Sequence, residues 1–101
     1  MLDREFFVGF VKIHILYHAA KKPIFGLEIA EELGRHGYKL SPGTLYPTLH
    51  RLEREGFLRS NSKIIGGRVR KYYAITRKGI TALEEAKRKI KELITEVIEE
   101  A

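Results

Sequence analysis

Between Ser41 and Leu58 the chain sets Thr44, Tyr46, His50, Arg51 and Arg54 among apolar residues at helical spacing. Hydroxyls, an imidazole and guanidinium groups in this pattern can donate hydrogen bonds to a polyanion, and they do not make a bond-breaking set. Wound as a helix, Leu45, Leu49 and Leu52 share one stripe, while Gly43, Thr44, Pro47, His50, Arg51 and Arg54 project from the opposite side. The stripe suits a core, and the outward face suits phosphates and base edges. Tyr46 lies to the side of that face, where its hydroxyl is better placed for a phosphate than for a base, and Thr48 is a further candidate for either. Ser41 is expected to cap the helix through its hydroxyl, Pro42 fits the first position, and Gly56 stops it. Pro47 deletes the amide that would bond the Gly43 carbonyl, and together they keep this surface low enough for close backbone approach.

The charge distribution points the same way. The 101 residues carry a formal charge of +6, divided as +1 over residues 1–40, +7 over 41–79 and −2 over 80–101. The excess therefore surrounds the basic helix and the segment after it, as a nucleic-acid footprint would. With no cysteine, disulfides, thiol catalysis and the common zinc-finger sets are excluded, and a cytoplasmic setting is expected. The apolar stretch from Phe6 to Tyr17 is too short for a membrane span and is interrupted by Lys12 and His14, so no membrane partner is expected.

Other elements must hold the basic helix in place. A first helix is expected from about Asp3 to Ala20, with Asp3 as its cap, and its apolar residues nearly encircle it. Such a helix needs cover on two sides, one of them from a second subunit. A second helix opens at Phe25-Gly26 and closes at Gly34 or Gly37, giving the helix-turn-helix plan with the basic helix. The β-branched and aromatic runs Phe57 to Ile64 and Val69 to Ile75, joined by Gly66-Gly67, predict a two-stranded wing with Arg68, Arg70 and Lys71 at or near its tip. Tyr72 and Tyr73 must point to opposite faces. A final helix from near Thr76 to the C-terminus carries Leu83, Ile90, Leu93, Ile94 and Val97 on a broad apolar strip. With Phe6, Phe7 and Phe10 of the first helix, that strip is the expected homodimer interface. The expected fold is mainly α with a small β-hairpin. Residues 1–79 form a winged helix-turn-helix unit with its N-terminal helix, and residues 80–101 form a dimerisation helix packed as one compact unit with it.

Three segments in order resemble the PadR family of winged-helix transcriptional regulators: Gly26-Leu27-Glu28-Ile29-Ala30, the run Ser41 to Gly56, and Lys71-Tyr72-Tyr73-Ala74-Ile75-Thr76-Arg77-Lys78-Gly79. The resemblance spans most of the chain. It implies a dimeric regulator, usually a repressor of a palindromic operator in double-stranded DNA, released in many members by a small hydrophobic or aromatic molecule. A single helix after the wing is similar to the short subfamily, where an effector space lies at the dimer interface. With no tryptophan in the chain, Phe10, His14 and Tyr17 are the candidates to line it. On the resemblance and the charge pattern together, the DNA-binding set is Ser41, Gly43, Thr44, Tyr46, Pro47, His50, Arg51, Arg54, Arg68, Arg70 and Lys71.

His14 and His18 are one turn apart, a spacing able to share a metal. No cysteine, other nearby histidine or adjacent acid completes the set, so neither metal nor cofactor is expected. No enzymatic function is expected either, because no nucleophile, base and orienting group gather, and no phosphate-binding glycine loop is present. The competing class is a winged helix serving as a protein-interaction or nonspecific DNA-binding module.

Overall fold

The computed structural model describes residues 4–99. The elements in chain order are α1 (Arg4–Lys21), β1 (Ile24–Phe25), α2 (Gly26–Arg35), α3 (Pro42–Arg54), β2 (Leu58–Ile65), β3 (Arg68–Ile75) and α4 (Arg77–Leu93), continued by a π-helical segment, Ile94–Glu99. The expected helical cap Asp3 lies outside the described residues.

The core forms where the apolar stripes of the helices converge. Val11, Ile15, Leu16 and Ala19 of α1 meet Ile29 and Leu33 of α2 and Leu45, Leu49 and Leu52 of α3, with Ile24, Leu58, Tyr73 and Leu83 closing the cluster. Each Leu or Ile buried in this way contributes about 1.5–3 kcal/mol, enough to fix which face of α3 turns inward. Between α2 and α3 the chain needs only residues 36–41, as the helix-turn-helix plan requires.

The wing is a sheet of three strands in the order β1-β3-β2, where two were expected. Strand β1 is only two residues long, too short to show alternation in sequence, and it pairs Ile24 with Tyr73 and Phe25 with Tyr72. The main hairpin runs from the pair Leu58 and Ile75 to the pair Ile65 and Arg68. Its turn falls on Gly66 and Gly67 at φ 57° and 77°, values that glycine adopts without a steric penalty. Residues 61–69 are all exposed, so the wing projects away from the core.

The last helix begins as expected but does not stay α-helical. Thr76 caps it by accepting from the Gly79 amide at 3.0 Å, and the ladder widens to π geometry from Ile94 onward. Leu83, expected at an interface between subunits, is only 3% exposed within its own chain and anchors α4 to the core. Beyond it Leu93, Ile94, Val97 and Ile98 are exposed, and every residue from 91 to 99 is exposed. The molecule extends 55 × 29 × 21 Å. No helix among the described residues is long and apolar enough to cross a membrane.

Candidate nucleic-acid interface

Helix α3 is anchored by its leucines and held at its start by backbone. The Ser41 carbonyl accepts from the amides of Thr44 at 2.9 Å and Leu45 at 3.0 Å. The Ser41 hydroxyl does not cap an amide, contrary to expectation. It turns toward the Thr44 hydroxyl at 3.4 Å, and that group also accepts from the Arg4 guanidinium at 2.9 Å, which draws the polar side chains of this corner together. Thr48 is likewise lost as a nucleic-acid contact. It is buried, and its hydroxyl donates to the Thr44 carbonyl at 2.7 Å, immediately after Pro47 has interrupted the amide ladder.

What remains outward on α3 is Gly43, Tyr46, Pro47, His50, Arg51 and Arg54, with Ser41 at its start, all exposed, and Thr44 half-buried. Arg51 and Arg54 have no ion-pair partner among the described residues, although Glu53 and Glu55 are close in sequence. Glu53 is committed elsewhere. It accepts from both the amide and the hydroxyl of Ser60 on β2 and lies 3.6 Å from the Lys71 ammonium on β3. Those bonds, the Ser60 hydroxyl first, hold its carboxyl below the ordinary value. Glu53 thus ties α3 to the wing and leaves the two arginines uncompensated.

The run Thr76 to Gly79 has a structural role that spacing alone did not reveal. At the C-terminal end of α3 the Thr76 hydroxyl donates to the Gly56 carbonyl at 2.6 Å, and the Lys78 ammonium donates to the Glu55 carbonyl at 2.7 Å. The Thr76 amide donates to the Phe57 carbonyl at 3.1 Å. These donors satisfy carbonyls at and just beyond the helix end, and the Lys78 cation sits where the helix dipole is negative. The clamp fixes the angle at which α3 leaves the core.

The wing and α3 enclose a cleft of about 330 Å³ lined by Gly26, Tyr46 and His50 on one side and by Arg68, Arg70 and Lys71 on the other. Its cations differ in freedom. The Arg70 guanidinium lies over the Phe25 ring at 4.4 Å, Lys71 is shared with Glu53, and Arg68 begins β3 beside the turn. Tyr73 faces inward and is 2% exposed, whereas Tyr72 is half-buried and meets Phe25 edge-on. On the other flank of α3, Arg4 and Lys12 of α1 border a groove with Gly43, Thr44, Pro47 and Arg51. Neither cation was anticipated. Their spacing of eight residues on one helix, which places both on a single face, was the available signal.

Of the residues expected to line an effector space at the dimer interface, two are open to solvent in the single chain. Phe10 and Tyr17 are each 40% exposed, and His14 is taken up by its own chain, stacked on His36 and edge-on to Tyr38. Of the apolar residues expected at the dimer interface, Phe6, Phe10, Leu93, Ile94 and Val97 are exposed, Phe7 and Ile90 are half-buried, and Leu83 is internal. The histidine pair also differs from expectation: His36, at the C-terminal end of α2, brings a third imidazole to His14 and His18.

A two-helix motif with a basic outer helix, flanked by a basic hairpin wing, defines a winged helix-turn-helix protein. Residues 15–85 match the family described as the transcriptional regulator PadR-like family. The chain is 50% identical over 95 residues to the transcriptional regulator Rv3488 of Mycobacterium tuberculosis, a match covering 94% of this chain and 89% of that protein. Among solved structures, the PadR-like transcriptional regulator BC4206 of Bacillus cereus superposes with a TM-score of 0.82 at 34% identity, covering 92% of each chain. A PadR family transcriptional regulator of Eggerthella lenta gives 0.81 at 31% identity, covering 92% of this chain and 82% of that one. The chain belongs to the PadR-like family of transcriptional regulators, and it is not an enzyme.

Proposed function

We propose that the chain acts as a cytoplasmic homodimeric repressor that binds a palindromic operator in double-stranded DNA through α3 and the wing of each subunit. The carrying observation is the exposed, unpaired pair Arg51 and Arg54 on a helix whose leucines are all spent in the core. Gly43, Pro47 and Thr44 let the α3 backbone approach the major groove, His50, Arg51 and Arg54 reach base edges or phosphates, and Ser41 and Tyr46 meet phosphates. Arg68, Arg70 and Lys71 lie against the neighbouring backbone or minor groove.

Apolar side chains exposed on the single chain support dimerisation. Phe6 and Phe10 on α1, with Leu93, Ile94 and Val97 on the last helical stretch, are the proposed contacts, and Ile90 and Phe7 lie at their edges. A two-fold axis through these helices sets the two α3 helices about one DNA turn apart, roughly 34–36 Å. A small aromatic or hydrophobic effector is proposed to sit where Phe10 and Tyr17 of the two subunits approach, with His14 beside them.

Selection from a random duplex pool tests the reading. An enriched sequence with two-fold symmetry is expected. Binding without enrichment favours a nonspecific DNA module, and no binding at low salt favours a protein-interaction module.

A further inference from the structure

We propose that His14, His18 and His36 form a binding site for a divalent transition-metal ion of the zinc type, joining α1 to the end of α2. Their ligand nitrogens all lie within 4.8 Å of one another. Tetrahedral coordination at bond lengths of 2.0–2.1 Å needs nitrogens about 3.3 Å apart, so small side-chain rotations close the set. His14 and His18 sit one helical turn apart on α1 and share a face. His36 caps the C-terminal end of α2 and is exposed, so it is free to complete the set from the solvent side.

Aromatic packing accounts for part of this cluster and leaves one atom unexplained. The His14 ring stacks on His36 at 5.1 Å and meets Tyr38 at 5.1 Å, and His18 meets Tyr17 at 5.0 Å. Yet the His18 Nε2 atom is buried with no hydrogen-bond partner among the described residues. A buried nitrogen left in that state costs free energy, which a bound metal ion would remove. Burial first, then mutual repulsion with His36, lowers the pKa of His14, and burial likewise lowers that of His18. Burial thus favours the neutral imidazole, the form that binds a metal. Glu28 and Glu32 add negative charge beside His18, opposed by Lys21.

The ligand chemistry selects the ion. Three imidazoles with no thiolate suit Zn²⁺, Ni²⁺ or Cu²⁺ and not Mg²⁺ or Ca²⁺, and three protein ligands leave a fourth position for water. The site does not depend on the DNA-binding reading, because it lies on the α1–α2 side of the molecule. Its consequence is mechanical: the ion pins α1 to His36, the first residue of the linker that feeds α3.

Metal-stripped protein titrated with Zn²⁺, followed by calorimetry and thermal melting, tests the proposal. One ion per chain and a raised melting temperature are expected, as is weakening of about 100-fold or more in His36→Ala, since loss of even an outer-sphere partner costs roughly 10–100-fold. Because His36 is exposed, its replacement leaves the core intact. Co²⁺ bound to the unaltered chain provides a second readout, and the intense visible absorption of a tetrahedral nitrogen site is expected. Absence of stoichiometric uptake, equal affinity in His36→Ala, or an octahedral Co²⁺ spectrum would each overturn the site.

Discussion

Gly79, in the first turn of α4, packs so close to the backbone carbonyl of Phe57, just beyond the end of α3, that no side chain fits between them. A methyl group on Gly79 would collide with that carbonyl and come within 2.7 Å of the Ile75 side chain. Backbone cannot swing away, so Gly79→Ala must push α4 off the end of α3. We expect a loss of about 1–3 kcal/mol or more, read as a fall in melting temperature of roughly 4–8 °C per kcal/mol. A melting temperature equal to wild type would show that the contact is not tight.

Gly26 makes the contrasting case. A methyl there would lie 2.7 Å from the Tyr46 ring and hydroxyl, but this neighbour is the far end of a side chain 42% exposed. Gly26→Ala is therefore expected to change stability by less than about 1 kcal/mol while displacing Tyr46 from the cleft beside the wing. Thermal melting with duplex titration checks this. The expected result is near-normal melting with weaker binding, and loss of the fold would refute it.

Acid should loosen the wing from α3 through Glu53. Its folded pKa lies below the ordinary value near 4.5, chiefly because the Ser60 hydroxyl bonds the carboxylate. The contribution of the ionised form is therefore complete above about 4.5 and disappears as pH falls through the lower folded value. Glu53→Gln should flatten the fall in melting temperature between about pH 5 and pH 3, and an unchanged acid profile would show that the Glu53 carboxylate does not hold the wing to α3.

The dimer is expected to come apart when charge enters the apolar strip. Leu93 and Val97 are 56% and 55% exposed, so their replacement leaves the core of the single chain untouched. Leu93→Glu with Val97→Glu should give a monomeric mass by sedimentation at micromolar concentration with helix content retained. A mass unchanged from a wild-type dimer would place the interface elsewhere.

Much of this architecture was legible in the sequence because local chemistry and tertiary need agree. Leu45, Leu49 and Leu52 define one face of α3 whatever surrounds it, and the Gly66-Gly67 turn flanked by β-branched residues specifies the hairpin. What was not legible depends on groups meeting across elements. Thr48 and Leu83 sit on faces whose cover comes from other parts of the chain, and the Ser41 hydroxyl turns to a corner that Arg4 of α1 helps to build. Strand β1 exists only because β3 offers an edge to Ile24 and Phe25. His36 lies 18 residues beyond His18 in the chain, and only the return of α2 past α1 brings the two imidazoles together.

Titration of a duplex recovered from the pool selection with wild type, Arg51→Ala and Arg88→Ala at fixed salt decides whether the outer face of α3 binds DNA. Arg51 stands on the outer face of α3, whereas Arg88 pairs with Glu85 on α4, far along the chain from that face. We expect a loss of about 1–3 kcal/mol for Arg51→Ala, roughly five- to 150-fold in affinity, with Arg88→Ala binding as wild type. Equal affinity of all three proteins would contradict it.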